Sequence, residues 1–162
     1  MNEAYLLLGS NLGNRKKTID SAIEKINEQA GKVTLASSVY ETEPWGTNAP
    51  LPFYNQIVVI KTPLTAERLL PVLLGIENDL GRVRTEIKNS PRTIDIDILF
   101  FNNEIISEKD LEVPHPRLHL RRFVLVPLSE IVPAYCHPVK KKSLSQLLEE
   151  CPDNRWVKKL EN

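Results

Sequence analysis

Two cysteines, one methionine and six glycines are all that 162 residues hold of those types. Cys136 and Cys151 make no disulfide framework, and without a Cys-x-x-Cys pair there is no zinc-ribbon spacing. So little cysteine favours a reducing compartment. No run approaches the roughly 18 apolar residues that a membrane-spanning helix needs. The short apolar stretch at 4–8 follows no basic segment, so it does not read as a signal peptide. The cytoplasm is the expected location. Net charge is absent too, because 21 Lys and Arg balance 21 Asp and Glu. That argues against whole-surface attraction to nucleic acid or an anionic membrane, but leaves room for a local basic site. No repeat or linker is visible. With 41% hydrophobic and 26% charged residues, the chain reads as one globular domain over 1–162, not a disordered tail, a collagen or a coiled coil.

What is there is unevenly distributed by kind. Of nine Arg, six lie between Arg82 and Arg122, a window that holds only Lys88 and Lys109 of the twelve Lys. Arg forks onto carboxylate and phosphate, whereas Lys is a hydrated point charge. A balanced total can therefore hide an anion site in mid-chain.

Residues 4–8 read as a buried strand ending at Gly9. Asn14 caps a helix with Ile19, Ala22, Ile23, Ile26 and Ala30 on one stripe and Gly31 as its stop. Val33, Leu35, Ser37 and Val39 alternate as one strand. Pro44, Gly46, Pro50 and Pro52 mark a long loop, and a second apolar strand spans 54–60. Thr65 caps a helix to Leu80 that Pro71 should kink, with Leu69, Leu73, Ile76 and Leu80 inward. Residues 82–92 lack apolar periodicity and read as an exposed loop; residues 94–101 form a strong strand. A turn at Asn102-Asn103 points to a hairpin with residues 111–113. Helices follow through 124–131 and 144–148, the last starting at Ser143. The order strand–helix–strand–strand–helix–strand is that of a ferredoxin-like α+β sandwich: an antiparallel-rich sheet with helices packed on it, plus a C-terminal hairpin and helices.

The sharpest chemical feature is Arg92-Thr93-Ile94-Asp95-Ile96-Asp97-Ile98-Leu99. Alternation along a strand points Asp95 and Asp97 to one face, roughly 6–7 Å apart at their α-carbons, and Ile94, Ile96, Ile98 and Phe100 to the other. Paired carboxylates need a counter-charge, which a hard divalent cation supplies; ion pairing to Arg on a solvated sheet face is the plain alternative. Arg82, Arg84, Lys88 and Arg92 lie close by, and metal–phosphate chemistry with Arg forks is the pattern of phosphoryl transfer. Pro114-His115-Pro116-Arg117 and Arg121-Arg122-Phe123 add a second basic cluster. His115 and His119 have a zinc-like spacing, but Pro116 stands between them and no further ligand cluster is visible. Thr42-Glu43-Pro44-Trp45-Gly46, with Phe53 and Asn55, could grip a flat heterocycle; Phe53 could equally be core. Gly9 to Lys16 lacks the phosphate-loop spacing. The aspartate pair precedes its apolar run, unlike the pair of haloacid-dehalogenase phosphatases.

Taken together these residues resemble the 6-hydroxymethyl-7,8-dihydropterin pyrophosphokinases of folate biosynthesis. The likeness rests on Leu8-Gly9-Ser10-Asn11-Leu12-Gly13, Tyr40-Glu41-Thr42-Glu43-Pro44, Phe53-Tyr54-Asn55, Gly81-Arg82-Val83-Arg84, the Pro91–Ile98 string, Val113-Pro114-His115-Pro116-Arg117 and Phe123-Val124-Leu125-Val126-Pro127-Leu128. These pieces stand in family order as far as about Pro133. The resemblance implies transfer of pyrophosphate from ATP to the hydroxymethyl oxygen, with release of AMP. It implies that Asp95 and Asp97 hold two Mg2+ ions and that Arg82 and Arg92 join them as catalytic residues. Glu77, Arg84, Lys88, Arg92, Ile98, His115 and Arg121 would bind ATP. Thr42, Pro44 and Trp45 would line a pterin pocket in which the ring stacks between Phe53 and Phe123 and Asn55 reads its edge. The expected partners are small molecules only, on a monomer, with no nucleic acid and no membrane.

The sequence departs from the family in three places. Asn89-Ser90 stands where the closing loop usually carries Trp-Gly, Lys88 replaces a common Arg, and Pro71 interrupts the second helix. Two other readings keep the fold. An RNA-binding module would show an aromatic pattern that residues 54–60 lack. A non-catalytic nucleotide sensor would have little use for the aspartate pair.

Overall fold

The computed structural model describes residues 1–44, 51–81 and 93–160. Among them β1 (Asn2–Ser10) is followed by α1 (Arg15–Gln29), β2 (Lys32–Ala36), β3 (Tyr40–Thr42), β4 (Phe53–Thr62) and α2 (Ala66–Asp79). Then come β5 (Asp95–Phe101), β6 (Ile106–Glu108), β7 (Leu111–Val113), a 3-10 turn at Leu118–Leu120, α3 (Arg122–Ile131), α4 (Leu144–Glu150) and β8 (Val157–Lys159). The architecture is α+β, an antiparallel sheet with four helices. None of the described helices is long and apolar enough to cross a membrane.

The helices start where side chains satisfy the first backbone donors. The Lys17 N–H donates to Asn14 Oδ1 at 3.2 Å, and Thr65 and Ser143 accept likewise from Arg68 and Gln146. Helix α1 ends where Ala30 and Gly31 both donate to the Ile26 carbonyl. Gly31 is not left-handed; it is needed because a Cβ there would run into the Lys61 carbonyl oxygen. Pro71 stands inside α2 on its exposed side.

The strand order of the main sheet is β5-β1-β4-β3-β8, with β2 also paired to β4, all antiparallel. Alternation along the central strands divides the core between two faces. Ala4, Leu6, Leu8, Val58 and Ile60 meet Ile19, Ala22 and Ile26 of α1 and Leu69, Leu73 and Ile76 of α2. Tyr5, Leu7, Ile57 and Val59 meet Val124, Leu125 and Leu128 of α3 and Leu144 and Leu147 of α4. Each fully buried aliphatic or aromatic side chain contributes about 1.5–3 kcal/mol of transfer free energy.

Three expectations need correcting, and one strand was not expected. Phe100 does not share the face of Ile94, Ile96 and Ile98. The β1–β5 register slips between Tyr5 and Leu6, so Leu99 and Phe100 both face α3 and α4, and Phe101 returns to the α1–α2 side. The alternation from Val33 to Val39 is not one strand. It breaks at Ser37, whose hydroxyl accepts the Ile57 N–H at 2.9 Å, and β2 and β3 pair with different parts of β4. The hairpin turns at Lys109-Asp110, between β6 and β7. Asn102 does turn the chain, in a left-handed conformation (φ 51°), but it lies before the hairpin. Finally β8 adds an edge strand beside β3 from a segment with no apolar pattern.

Candidate functional site

The site is set by one row of the sheet. Directly opposed residues of antiparallel strands share a face. Tyr40 of β3 opposes Asn55 of β4, Asn55 opposes Gly9 of β1, and Gly9 opposes Asp95 of β5. The next row sets Ile57, Leu7 and Asp97 together. Both aspartates are half-buried on the α3 face at the start of β5, as the alternation predicts. Two strand spacings separate Asp95 from Asn55, about 10 Å. The residue between them is Gly9, with no side chain to fill the gap. A Cβ there would stand 2.8 Å from Asn55 Nδ2 and 3.7 Å from Phe53 Cδ1.

On the β4 side, Thr42 is buried and its hydroxyl donates to Asn55 Oδ1 at 2.7 Å; Asn55 Nδ2 donates to the Leu8 carbonyl at 3.4 Å. These bonds hold the amide plane of a residue that is 3% exposed. Phe53 opposes Thr42 in register and is partly exposed, so it is not core. Arg15 braces this wall: its guanidinium donates to the Pro52 carbonyl at 2.8 Å and lies 3.9 Å over the Tyr54 ring. Pro44 is half-buried at the end of β3.

On the β5 side, the basic groups come from the segment after β7. The His115 N–H donates to the Leu99 carbonyl at 3.0 Å, which ties this segment to the aspartate strand. Its Nδ1 accepts the Arg117 N–H at 3.3 Å, so the ring proton sits on Nε2. Burial, then the charges of Arg121 and Arg117, lower the His115 pKa from 6.5 to about 4 against the pull of Asp95. The ring is therefore a neutral donor at physiological pH. Arg121 immediately precedes α3, half-buried. Burial and Arg117 push its pKa down, while Asp97, Asp95 and Asp153 pull it up. Its guanidinium carbon lies 5.7 Å from the centroid of the half-buried Phe123 ring. The His119 ring lies 6.5 Å from that of His137. No group of three metal-ligating side chains occurs among the described residues.

Glu77 is 2% exposed, and its Oε2 accepts the Ile96 N–H at 2.8 Å. It joins α2 to β5, the outer strand of the sheet, between the two aspartates. The Ile98 side chain lies in the opposite core with α1 and α2, so at this face only its backbone is available. Trp45, Arg82, Arg84, Lys88 and Arg92, with the departure at Asn89, fall outside the described residues. Arg117 ends the Pro114-His115-Pro116-Arg117 motif but had no expected role, and Asp153 carries no motif. A cavity of about 320 Å³ against His119, Lys140 and Leu147 shares none of the site residues.

The pair Asp95 and Asp97 fits magnesium. This cation keeps several waters and is held by one or two carboxylates together with phosphate oxygens, so it needs no larger protein cluster.

The family model described as 7,8-dihydro-6-hydroxymethylpterin-pyrophosphokinase matches residues 5–133. The 2-amino-4-hydroxy-6-hydroxymethyldihydropteridine pyrophosphokinase of Bacillus subtilis (strain 168) is 43% identical over 159 residues, 98% of this chain and 92% of that protein. The folic acid synthesis protein fol1 of Pneumocystis carinii is 44% identical over 154 residues, but this chain spans only 21% of its length. In the crystal structure of Plasmodium falciparum HPPK-DHPS wild type with STZ-DHP, 43% of the chain superimposes on 92% of this one with a TM-score of 0.76. At 19% identity, that likeness shows the fold.

Proposed function

The chain belongs to the 7,8-dihydro-6-hydroxymethylpterin-pyrophosphokinase family, and on that premise we propose how its residues divide the work. It is an enzyme of folate biosynthesis that transfers pyrophosphate from ATP to the hydroxymethyl group of 6-hydroxymethyl-7,8-dihydropterin, giving the pterin diphosphate and AMP.

The observation that carries the residue assignment is the shared row. Carboxylates stand at one end, an oriented amide at the other, and a glycine gap lies between. The pterin lies at the Asn55 end, its ring between Phe53 and Phe123, its donors and acceptors read by the amide that Thr42 holds in place. Pro44 and Trp45 are assigned to the same pocket. The triphosphate lies toward β5. Asp95 and Asp97 hold two Mg2+ ions, which when bound neutralise phosphate charge and fix its geometry. Arg121 donates its fork to phosphate oxygens, and His115 donates from Nε2. Arg82, Arg84, Lys88 and Arg92 complete the anion site from the adjoining segment, with Arg82 and Arg92 on the transferred group. Glu77 and the Ile98 backbone adjoin the nucleotide. Positioning two substrates across a rigid sheet removes much of the entropic barrier to transfer.

The β5-β1-β4-β2 order is read as a ferredoxin-like core carrying a C-terminal hairpin and helices. The proposal extends to a single catalytic domain over 1–162, working as a cytoplasmic monomer on small molecules without nucleic acid.

Calorimetry with ATP tests the assignment. Binding is expected to require magnesium and to weaken by about 100-fold or more in Asp97→Ala. Equal ATP affinity with and without magnesium, or in the variant, would remove the aspartates from this role.

A further inference from the structure

Helix α3 begins without a local cap. Arg121 occupies the capping position, makes no side-chain cap hydrogen bond, and has no acceptor to offer. The first donor of the helix, the Arg122 N–H, is satisfied from 31 residues away: it donates to Asp153 Oδ2 at 3.0 Å. Asp153 is otherwise built in. Its Oδ1 accepts the Arg155 N–H at 3.0 Å and the Arg155 guanidinium at 3.2 Å, and its side chain is 2% exposed. A carboxylate at this point also meets the positive end of the helix dipole.

The segment that carries Asp153 is anchored to the opposite wall of the site. The Glu43 N–H donates to the Trp156 carbonyl at 3.2 Å, Thr42 opposes Val157 in the β3–β8 pair, and the Leu160 N–H donates to the Val39 carbonyl at 2.9 Å. Lys159 pairs with Glu130 on α3 at 3.3 Å. Residues 153–160 thus tie β3, which carries Thr42, to the turn that carries Arg121 and Phe123. All of them lie beyond the 5–133 match.

We propose that Asp153 is a positioning residue for ATP: it fixes the first turn of α3 and so aims the Arg121 guanidinium at the phosphates. The inference rests on the proposed function. Three carboxylates support the charge of Arg121: Asp97, Asp95 and Asp153. The first two are the residues assigned to magnesium, so their charge is shared with the cations when substrate is bound. Asp153 is held by the Arg122 N–H and by Arg155 and keeps its charge for the helix start.

The test compares Asp153→Asn, close in shape but without the charge, with Ser143→Ala. The latter removes the cap of α4 in the same C-terminal region, where the Ser143 hydroxyl accepts the Gln146 N–H. Steady-state kinetics on both substrates are read with amide exchange at Arg122. Asp153→Asn is expected to raise the KM for ATP about tenfold, leave the pterin KM within about threefold, and speed exchange at Arg122. Ser143→Ala should lower the melting temperature with both KM values unchanged. The inference is overturned if Asp153→Asn shifts the ATP KM no more than Ser143→Ala, raises both KM values equally, or abolishes folding. Absence of turnover in the wild-type protein would instead overturn the proposed function.

Discussion

Gly9→Ala puts one methyl group at the centre of the row joining the aspartates to Asn55. The Gly9 backbone is not left-handed, so alanine meets no conformational penalty there; lower unfolded-state entropy alone would stabilise the protein by about 0.4–1 kcal/mol. Space is what opposes it. The new Cβ falls 2.8 Å from Asn55 Nδ2, and its next contacts are Phe53 Cδ1 and Asn55 Cγ, none of them on Asp95. Asn55 is 3% exposed and bonded to Thr42 and to the Leu8 carbonyl, so its amide moves only by giving up one of those bonds. A lost bond costs about 0.5–1.5 kcal/mol, and a buried polar atom left without a partner about 1–3 kcal/mol. Against the entropic gain, stability should fall by about 1 kcal/mol. The misplaced amide should weaken pterin recognition by about 1–2 kcal/mol, a five- to thirtyfold rise in pterin KM. The ATP KM should stay within about twofold, because the methyl does not reach the β5 side. Kinetics with each substrate varied in turn, beside a melting curve, read all three quantities. A folded variant with an unchanged pterin KM, or with equal rises in both, would refute the assignment of Asn55 to the pterin.

Two further perturbations follow from buried groups. Glu77→Ala strips the acceptor from the Ile96 N–H and is expected to cost about 1–3 kcal/mol in urea denaturation, with Glu77→Gln nearer wild type; a change below about 0.5 kcal/mol for alanine would contradict that role. His137 is 3% exposed and its Nδ1 accepts the N–H groups of Val139 and Lys140, which a second ring proton would displace. Burial, then His119 and Lys140, lower its pKa from 6.5 to about 4. The unfolded chain therefore takes up the proton first, so stability is full above about pH 6.5 and declines as pH falls toward 4, by up to about 3 kcal/mol from this residue. His137→Asn, which keeps an acceptor and cannot titrate, should flatten that decline in melting temperature; an unaltered slope would show the acid sensitivity to lie elsewhere.

The sequence revealed the parts whose causes are local. Asn14, Thr65 and Ser143 cap their helices as read, because capping needs only the residue and its next turn. The apolar stripes of α1 and α2 are buried as the period requires. Asp95 and Asp97 share a face because two-residue alternation survives as far as Ile98. Beyond it the slip against β1 turns Phe100 over, and a slip belongs to the partner strand as much as to β5. The Ser37 break and the β8 edge are likewise settled by pairing with β4 and β3. Nothing in the stripe of α2 marks the structural bond of Glu77, because its partner is a backbone group of another element. Asp153 was invisible for the same reason: its bond to the start of α3 crosses 31 residues to a backbone N–H.

The measurement that bears most directly on the whole reading is the transfer reaction itself. The protein is mixed with ATP, magnesium and 6-hydroxymethyl-7,8-dihydropterin, and the products are followed by phosphorus NMR. AMP and the pterin diphosphate should appear in equal amounts, with turnover lost when magnesium is chelated. ADP with a pterin monophosphate, or no pterin-dependent consumption of ATP, would contradict it.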